Sequence, residues 1–373
     1  MKNEKIGLIT THSVINYGAV LQAFALHKSI IDLGYDCEVI NYYPKEKISG
    51  KKNIYSFNSF RSAVSSLLLF FNIKYKKDLE KKRKSFDAFL EHFFNISKEN
   101  YSSYDEMKNK LPKYKALVCG SDQIWNLNLM NDSVYFLEFS SVYPKTQYIA
   151  YAPSISEKLT DSQYNMLLQK VSHFSALSLR EKNDASFLNN FSNRFFENVL
   201  DPVFLLDKSY WDNLGISMDI KSPYILCYEI SSDSNFSRAL EMIRKKIPHK
   251  LICINTKPYN KHNANILLTD VSLQNFLWLI KNASFVVTSS FHATAFSVIF
   301  KKDFYAVASA HRASRHISLL SQVGLQDRVV LDINNLTSEN FTLSIDYSDV
   351  DKKLKKLRQY SINYLSNALK GKI

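Results

Sequence analysis

An apolar run at residues 285–288 leads into the sequence T-S-S-F-H-A, in which two serines precede a histidine. Serine is a favoured helix N-cap, so the pattern predicts a strand followed by a helix with His292 in its first turn. Helix starts present N–H groups that bind anions, and a neighbouring imidazole can act as an acid or a base. Ser289, Ser290 and His292 are therefore candidates for an anion-binding catalytic site. The alternative is that His292 is structural, as lone histidines more often are.

Arginines follow two predicted strands and would add positive charge to such a site. Arg180 comes directly after the apolar run at residues 176–179, and Arg312 and Arg315 follow the run at 304–307. The planar guanidinium group suits carboxylate and phosphate, which it binds through two parallel hydrogen bonds. We expect these arginines to bind an anionic ligand, unless Arg180 only pairs with the adjacent glutamate at the surface.

A second polar constellation follows residues 116–119, where the sequence continues G-S-D-Q-I-W-N. Asp122, Gln123 and Asn126 offer carboxylate and amide groups, which form hydrogen bonds with hydroxyls. Trp125 offers a flat aromatic face for the C–H side of a sugar ring. The combination predicts a sugar or polyol site, with a structured turn as the alternative.

The first predicted strand, at residues 6–10, also ends in a polar turn before a helix. Asn16 lies in this turn and Gln22 in the helix that follows. The turn has a single glycine and therefore lacks the G-x-G-x-x-G pattern of dinucleotide-binding proteins. Asn16 and Gln22 are candidates for binding a ligand at the helix start. The alternative is that Asn16 and Gly18 only shape the turn.

Short apolar runs alternate with helical periods along the chain, which predicts parallel strands joined by helical crossovers. The rhythm stops in a polar stretch at about residues 207–222 and then restarts. We therefore predict an α/β protein with two Rossmann-like domains, residues 1–207 and 222–349, that face each other across a cleft. A basic C-terminal helix at 350–373 is expected to pack back. Ligands of such folds bind at the carboxyl ends of the strands.

The chain of 373 residues has 48 Lys and Arg against 35 Asp and Glu, a formal net charge of +13. Residues 45–115 hold 17 basic and eight acidic side chains, and residues 351–373 hold seven and one. The rest of the chain is close to neutral, which argues against a nucleic-acid partner. We interpret residues 45–115 as a basic helical insertion in the first domain. The alternative is an amphipathic surface that contacts an anionic membrane.

The four cysteines form no C-x-x-C pair and lie in or beside apolar runs. This favours reduced thiols in a cytoplasmic protein, and the chain start lacks the apolar segment of a signal peptide. No H-E-x-x-H motif or Cys/His cluster predicts a metal site. The sequence has no Walker A and no G-x-S-x-G motif, which excludes P-loop nucleotidases and α/β-hydrolases.

Together these segments resemble the polysaccharide pyruvyl transferase family. The resemblance rests on five segments: N-Y-G-A-x-L-Q at 16–22, G-S-D-Q-I-W-N at 120–126, L-R-E-K at 179–182, V-L-D-P-V-F-L-L at 199–206 and S-S-F-H-A-T at 289–294. It implies a GT-B-like fold. It also implies transfer of the enolpyruvyl-derived group of phosphoenolpyruvate, without a cofactor, onto sugar hydroxyls of a polysaccharide or glycan precursor as a cyclic ketal.

In this family a histidine of the S-x-x-H-A element acts as general acid, and arginines hold the carboxylate and phosphate of the donor. The resemblance assigns the acid to His292 and a donor-binding role to Arg180. The sequence departs from the family at Ser290-Phe291, where studied members have Arg-Leu. A donor-binding guanidinium is thus missing from its expected place, and Arg312 or Arg315 would have to replace it.

The resemblance places the donor on the second domain and the sugar or glycan acceptor, free or lipid-linked, on the first. Two other functions stay open from the sequence. One is a GT-B glycosyltransferase that binds the diphosphate of a nucleotide sugar at the serine-flanked helix start. The other is a non-catalytic protein that binds anionic surfaces through its basic segments.

Overall fold

Strands and helices alternate along the chain in the computed structural model of the protein. The structure describes residues 5–44, 73–221, 223–230, 234–257, 259–309, 313–332 and 342–373. These residues form two compact units, which we call unit one and unit two. Within the described ranges, unit one contains residues from 5–44, 90–206 and 352–373, and unit two contains residues from 73–89 and 207–351. Each unit has a parallel sheet, which confirms the predicted α/β class with two Rossmann-like sheets.

The sheet of unit one contains β1 (Ile6–Ile9), β2 (Cys37–Tyr42), β3 (Ile96–Tyr101), β4 (Ala116–Cys119) and β5 (Gln147–Ala150). Their order across the sheet is β3-β2-β1-β4-β5. All side chains of β1 and β4 are buried, as expected for central strands of a parallel sheet that is covered on both faces. Two short strands, β6 (Ser178–Leu179) and β7 (Glu197–Asn198), form a separate parallel pair.

The helices of this first part of the chain are α1 (Tyr17–Asp32), α2 (Ile73–Phe93), α3 (Tyr104–Lys110), α4 (Asp161–Lys170) and α5 (Lys182–Phe191). Most of α1 is buried, so its sequence is apolar on all sides and not only along one stripe. The helix begins after the N-cap Asn16 and is followed by Gly34, whose φ of +89° suits glycine.

The sheet of unit two contains β8 (Tyr224–Tyr228), β9 (Lys250–Ile254), β10 (Ile266–Leu268), β11 (Phe285–Thr288), β12 (Phe304–Val307) and β13 (Val329–Val330). The order is β10-β9-β8-β11-β12-β13. Its helices are α6 (Lys208–Leu214), α7 (Ser234–Lys246), α8 (Leu273–Asn282), α9 (Phe291–Ile299) and α10 (Ala313–Val323). Two further short helical turns span Pro202–Phe204, in unit one, and Gln326–Arg328.

The last helix, α11 (Tyr347–Leu369), packs its residues from 352 onward on unit one. Leu200 N donates to Ser361 Oγ (2.9 Å), and Tyr364 OH donates to the Ala150 carbonyl (2.9 Å). Arg358 Nε donates to the Phe204 carbonyl (2.6 Å). These contacts confirm the prediction that the C-terminal helix packs back. Among the described residues, no helix combines the length and the apolar composition needed to cross a membrane.

The predicted insertion at 45–115 differs from the structure over its last third. Residues 45–72 lie outside the described residues. The lysine-rich segment lies in α2, as a helical insertion would require, but residues 96–101 are the edge strand β3 and pair with β2. This strand could not be predicted from the sequence, because Lys98, Glu99 and Asn100 are all exposed and the apolar alternation of a strand is missing.

Candidate functional site

In both sheets the strand order reverses beside the first strand. β1 pairs with β2 on one side and β4 on the other, and β8 pairs in the same way with β9 and β11. The loops that leave two such strands diverge, and ligands of open α/β sheets bind in the crevice at their carboxyl ends. Three of the sequence motifs lie at these points, after β1, β4 and β11.

In unit two, hydrogen bonds tie the loop after β11 to the end of β8. Thr288 Oγ1 donates to the Tyr228 carbonyl (2.8 Å), and Ser289 N donates to the same carbonyl (3.2 Å). In return, Ile230 N donates to Ser289 Oγ (2.9 Å). Ser289 therefore holds the two loops of the crevice together, in addition to any contact that it makes with a ligand.

The start of α9 places His292 at this edge of the sheet. Ser290 is the N-cap, and its Oγ accepts a hydrogen bond from Ala293 N (3.3 Å). His292 lies in the first turn and is 6% exposed, with its ring edge-on to Phe291 (5.1 Å between ring centroids). The imidazole is thus held by packing beside a helix start, where the N–H groups of the first turn favour an anion.

The first turn of α10 contributes a second histidine, His316, which the sequence analysis did not single out. It is 1% exposed, and its ring centroid lies 6.1 Å from that of Phe291, the same ring that contacts His292. Arg315 precedes it and is half-buried. The sequence signal that could have identified His316 is its position shortly after β12, the strand next to β11. Arg312 lies outside the described residues, and its donor-binding role stays a prediction.

In unit one, Gln22 joins the loops after β1 and β4. Its side chain is fully buried, its Nε2 donates to Thr10 Oγ1 (3.0 Å), and its Oε1 accepts from Ser121 N (2.9 Å). Both ends of the amide are thus used inside the protein. Gln22 therefore positions the crevice, which differs from the predicted direct contact with an acceptor.

Asp122 and Gln123 are the residues of the G-S-D-Q-I-W-N motif that reach the surface, since both are half-buried. Gly120 precedes them with φ at +143°, and a Cβ there would lie 1.9 Å from the Tyr151 carbonyl oxygen, so only glycine fits. Ser154 N donates to the Asp122 carbonyl (2.8 Å), which brings the loop after β5 to this point.

Two buried hydroxyls of this edge escaped the sequence analysis. Ser154 is fully buried and Thr11 is 7% exposed, and neither side-chain oxygen has a hydrogen-bond partner among the described residues. Buried polar groups are normally satisfied, so these two are further candidates for contact with a ligand or an ordered water. Single hydroxyl residues give no pattern by which a sequence could reveal them.

The aromatic and amide end of the motif belongs to the core. Trp125 is fully buried, its Nε1 donates to the Tyr135 carbonyl (3.2 Å), and its ring stacks on Phe136 (5.8 Å between centroids). Asn126 is also fully buried, and its Oδ1 accepts from Asn128 N (3.1 Å) in a turn. The predicted stacking of Trp125 on a sugar does not fit this burial. Asn126 Nδ2 has no hydrogen-bond partner among the described residues, so the predicted contact of Asn126 stays a prediction.

Asn16 acts as the N-cap of α1. Its Oδ1 accepts from Gly18 N (3.0 Å) and Ala19 N (3.3 Å), which occupies the group that was expected to bind a ligand. The residue is otherwise exposed. The alternative drawn from the sequence, that Asn16 and Gly18 shape the turn, describes this geometry.

Arg180 lies inside unit one and forms ion pairs there. It is 4% exposed, its Nε donates to Glu181 Oε1 (2.9 Å), and its Nη1 donates to Asp201 Oδ2 (2.8 Å). Burial lowers the pKa of the guanidinium, but the carboxylates of Glu181, Asp201 and Asp122 raise it more, so it stays charged. The guanidinium therefore already holds two buried carboxylates, which differs from the predicted binding of a donor.

A third carboxyl, that of Asp184, lies close to these ion pairs and has a shifted pKa. Burial, with a smaller contribution from the charge of Glu181, raises the pKa of Asp184 to about 7. Asp184 lies in the first turn of α5, two residues after the end of the L-R-E-K segment.

Among the described residues, no group of three His, Cys, Asp or Glu side chains is placed to hold a metal ion.

The family model for polysaccharide pyruvyl transferases matches residues 16–311, which include every one of these motifs. The chain belongs to the polysaccharide pyruvyl transferase family. This confirms the resemblance found in the sequence and makes the protein a transferase of polysaccharide biosynthesis. No curated protein matches the sequence.

Solved structures similar to this family member have the GT-B fold. Arabidopsis thaliana UGT89C1 complexed with UDP-L-rhamnose is 13% identical, with a TM-score of 0.51 over 97% of this chain and 95% of that chain. S. aureus MnaA with UDP is 12% identical, with a TM-score of 0.49 over 97% and 91%. The likeness to UGT89C1 confirms the GT-B-like fold and says nothing about substrates at this identity.

The variant Arg180→Met tests whether this arginine is structural in this member of the pyruvyl transferase family. It leaves Glu181 and Asp201 as buried carboxylates without their cation, so we expect the free energy of unfolding to fall by about 3–5 kcal/mol. Chemical denaturation followed by circular dichroism measures the loss. Adding Glu181→Gln and Asp201→Asn should recover part of it. Unchanged stability with a raised KM for the donor would instead place Arg180 in the donor site.

Proposed function

We propose that the protein transfers the enolpyruvyl-derived group of phosphoenolpyruvate onto two hydroxyls of a sugar and forms a pyruvate ketal. The observation that carries the proposal is the position of His292. It lies in the first turn of α9, where the strand order of unit two reverses, within the segment that matches the family. Helix start and imidazole supply the two functions that the reaction needs, an anion site and a proton donor.

Phosphoenolpyruvate has about three negative charges, and its site must provide cations and N–H donors. In unit two we assign this role to the first turn of α9, to Ser289 and Ser290, and to Arg315 at the start of α10. Arg312 is assigned to the same role from its sequence position. These residues take the place of the Arg-Leu pair that the family has before the histidine, and of Arg180, whose guanidinium is already engaged.

The reaction begins when His292, as imidazolium, protonates the methylene carbon of the donor. The carbon becomes a methyl group, and C2 becomes an oxocarbenium-like centre. A sugar hydroxyl attacks C2 and returns its proton to His292. The C2–O bond to phosphate then breaks, a second hydroxyl attacks C2, and the phosphate takes the second proton. The products are one cyclic ketal and one hydrogen phosphate, and no cofactor is consumed. General acid catalysis of this kind contributes about 10²–10⁴-fold.

We assign the acceptor hydroxyls to unit one, where Asp122 and Gln123 are half-buried at the carboxyl edge. The carboxylate accepts hydrogen bonds from hydroxyls, and the amide can donate or accept. Thr11 and Ser154 extend this polar edge. Gln22, Trp125 and Asn126 support it from inside, since all three are fully buried.

The acceptor we envisage is a cell-surface polysaccharide or a glycan precursor, free or lipid-linked, modified in the cytoplasm. Contact with an anionic membrane would bring the enzyme to a lipid-linked acceptor. Supporting this, four lysines are exposed on the first half of α11: Lys352, Lys353, Lys355 and Lys356. Clusters of lysine near a surface attract anionic lipid with about 1 kcal/mol per charge.

His292→Asn tests the proposed acid directly. Asparagine keeps a polar side chain of similar size but cannot supply a proton, so we expect turnover of phosphoenolpyruvate to fall about 10²-fold or more. Consumption of the donor is followed by ultraviolet absorbance with a glycan acceptor present. His249→Asn, a half-buried histidine elsewhere in unit two, serves as the matched control and should retain activity.

Supplying a nucleotide sugar in place of phosphoenolpyruvate, and measuring the release of nucleoside diphosphate, tests the competing glycosyltransferase function. If the protein releases a nucleoside diphosphate from a nucleotide sugar and leaves phosphoenolpyruvate untouched, the proposal is wrong. Full activity in a folded His292→Asn variant would also overturn the role of this residue.

Asp122→Asn tests the acceptor assignment. Loss of the carboxylate removes a charge-assisted hydrogen bond to the acceptor, and we expect the acceptor KM to rise about tenfold while the donor KM stays within about twofold. Steady-state kinetics with each substrate varied in turn measure both constants. Asp161→Asn, an exposed acidic residue of unit one, is the control. Equal effects on the two KM values would contradict the assignment.

A further inference from the structure

Unit two has a recess that the proposed reaction does not use. It lies at the carboxyl ends of β8 and β9, is a shallow recess of about 20 Å³ that opens to solvent, and is lined at the sheet by Cys227 and Cys253. These two residues face each other in the pairing of β8 and β9, and both are buried as free thiols. The rest of the lining is polar, and its charged residues are Glu229, Lys257, Lys261 and His262.

Glu229 organises the charged side of the recess. It is 9% exposed, and Lys261 Nζ lies 2.8 Å from each of its carboxylate oxygens. His262 Nε2 lies 2.9 Å from Oε2 of the same carboxylate. The loop after β9 is thus anchored at two consecutive residues, and the ammonium group of Lys261 is held at a fixed place in the wall.

The fixed lysine retains donor capacity toward the recess. An ammonium group has three N–H donors, and the two contacts with Glu229 use two of them. Lys257 lines the same recess and is exposed, so its charge is added without a buried counter-ion. With one carboxylate against two lysines, the lining has a net positive charge even when His262 is neutral.

Two neutral side chains complete the lining, and both form hydrogen bonds within unit two. Asn255 is 8% exposed, and its backbone position is fixed because it follows β9 directly and its Oδ1 accepts from Lys257 N (3.0 Å). Thr256 Oγ1 donates to the Glu229 carbonyl (3.1 Å), which connects this loop to the end of β8. A small, strongly hydrated anion with several acceptor oxygens matches two ammonium groups better than an apolar ligand does.

We propose that this recess binds a phosphoryl group through Lys257 and Lys261, with Glu229 and His262 as positioning residues. The inference goes beyond the proposed function, because it concerns a second anion site that is defined by other residues than Ser290 and His292. Phosphoenolpyruvate, a nucleotide such as UDP and inorganic phosphate share the required chemistry. Titration of the protein with each of the three ligands distinguishes these sources.

The test is isothermal titration of the full-length protein with inorganic phosphate, phosphoenolpyruvate and UDP in turn. We expect at least one of them to bind, and the double variant Lys257→Gln, Lys261→Gln to raise its Kd about tenfold or more, because two charged donors are lost. The ligand that is most affected identifies the source of the phosphoryl group. Lys245→Gln, Lys250→Gln removes two exposed lysines at the other end of β9 and should leave the Kd unchanged.

The single variant Lys257→Gln controls for a loss of ligand binding that is caused by misfolding, because this side chain is exposed and makes no contribution to the core. It should weaken binding by a smaller factor without a change in melting temperature. Binding measured in His292→Asn should persist, so failure of the transferase function leaves this result readable. The proposal is overturned if none of the three ligands binds, or if binding is the same in the lysine variants and in the wild type.

Discussion

The reversal of strand order beside β1 and β8 determines where each unit can present polar groups to a ligand. Two neighbouring parallel strands whose loops diverge leave backbone groups at the sheet edge that need partners. Gln22 meets this need in unit one by bridging Thr10 and Ser121. In unit two, Thr288 and Ser289 serve the end of β8 in the same way. The motifs therefore contain residues that hold the edge, in addition to those proposed to face a ligand.

This division explains which parts of the site could be predicted from the sequence. The N-cap serine pattern placed His292 in the first turn of a helix, because capping is a local interaction that depends on neighbours in the chain. The alternation of apolar runs and helical periods gave the α/β class for the same reason. The edge strand β3 was missed because its exposed face is polar and its pairing with β2 is not local.

The roles of individual polar and aromatic residues were harder to predict, because burial is decided by tertiary packing. Trp125 has the chemistry to stack on a sugar, but its ring lies in the core of unit one. Arg180 has the chemistry to bind phosphate, but Glu181 and Asp201 lie against it. The sequence shows Glu181 as a neighbour of Arg180. It does not show Asp201, which is brought there by the fold.

In the proposed function, the cations for the anionic donor come from unit two, because Arg180 is engaged inside unit one. Arg315 and His316 lie in the first turn of α10, and the His316 ring packs against Phe291 at the start of α9. In this proposal, a family member without the arginine before its histidine binds its donor through these side chains and the N–H groups of the first turn of α9. The segments that contain the motifs are close to neutral in total. This agrees with the proposed donor site, which needs only a few cations.

In the proposed reaction, His292 delivers a solvent-derived proton to the methylene carbon of phosphoenolpyruvate during transfer to a sugar. Mass spectrometry of a glycan acceptor incubated with the enzyme and phosphoenolpyruvate in D₂O measures this proton transfer. We expect a product heavier by one pyruvyl ketal, with a single deuterium in its methyl group. A product without deuterium, or a glycan extended by a sugar only when a nucleotide sugar is supplied, would contradict this proposal.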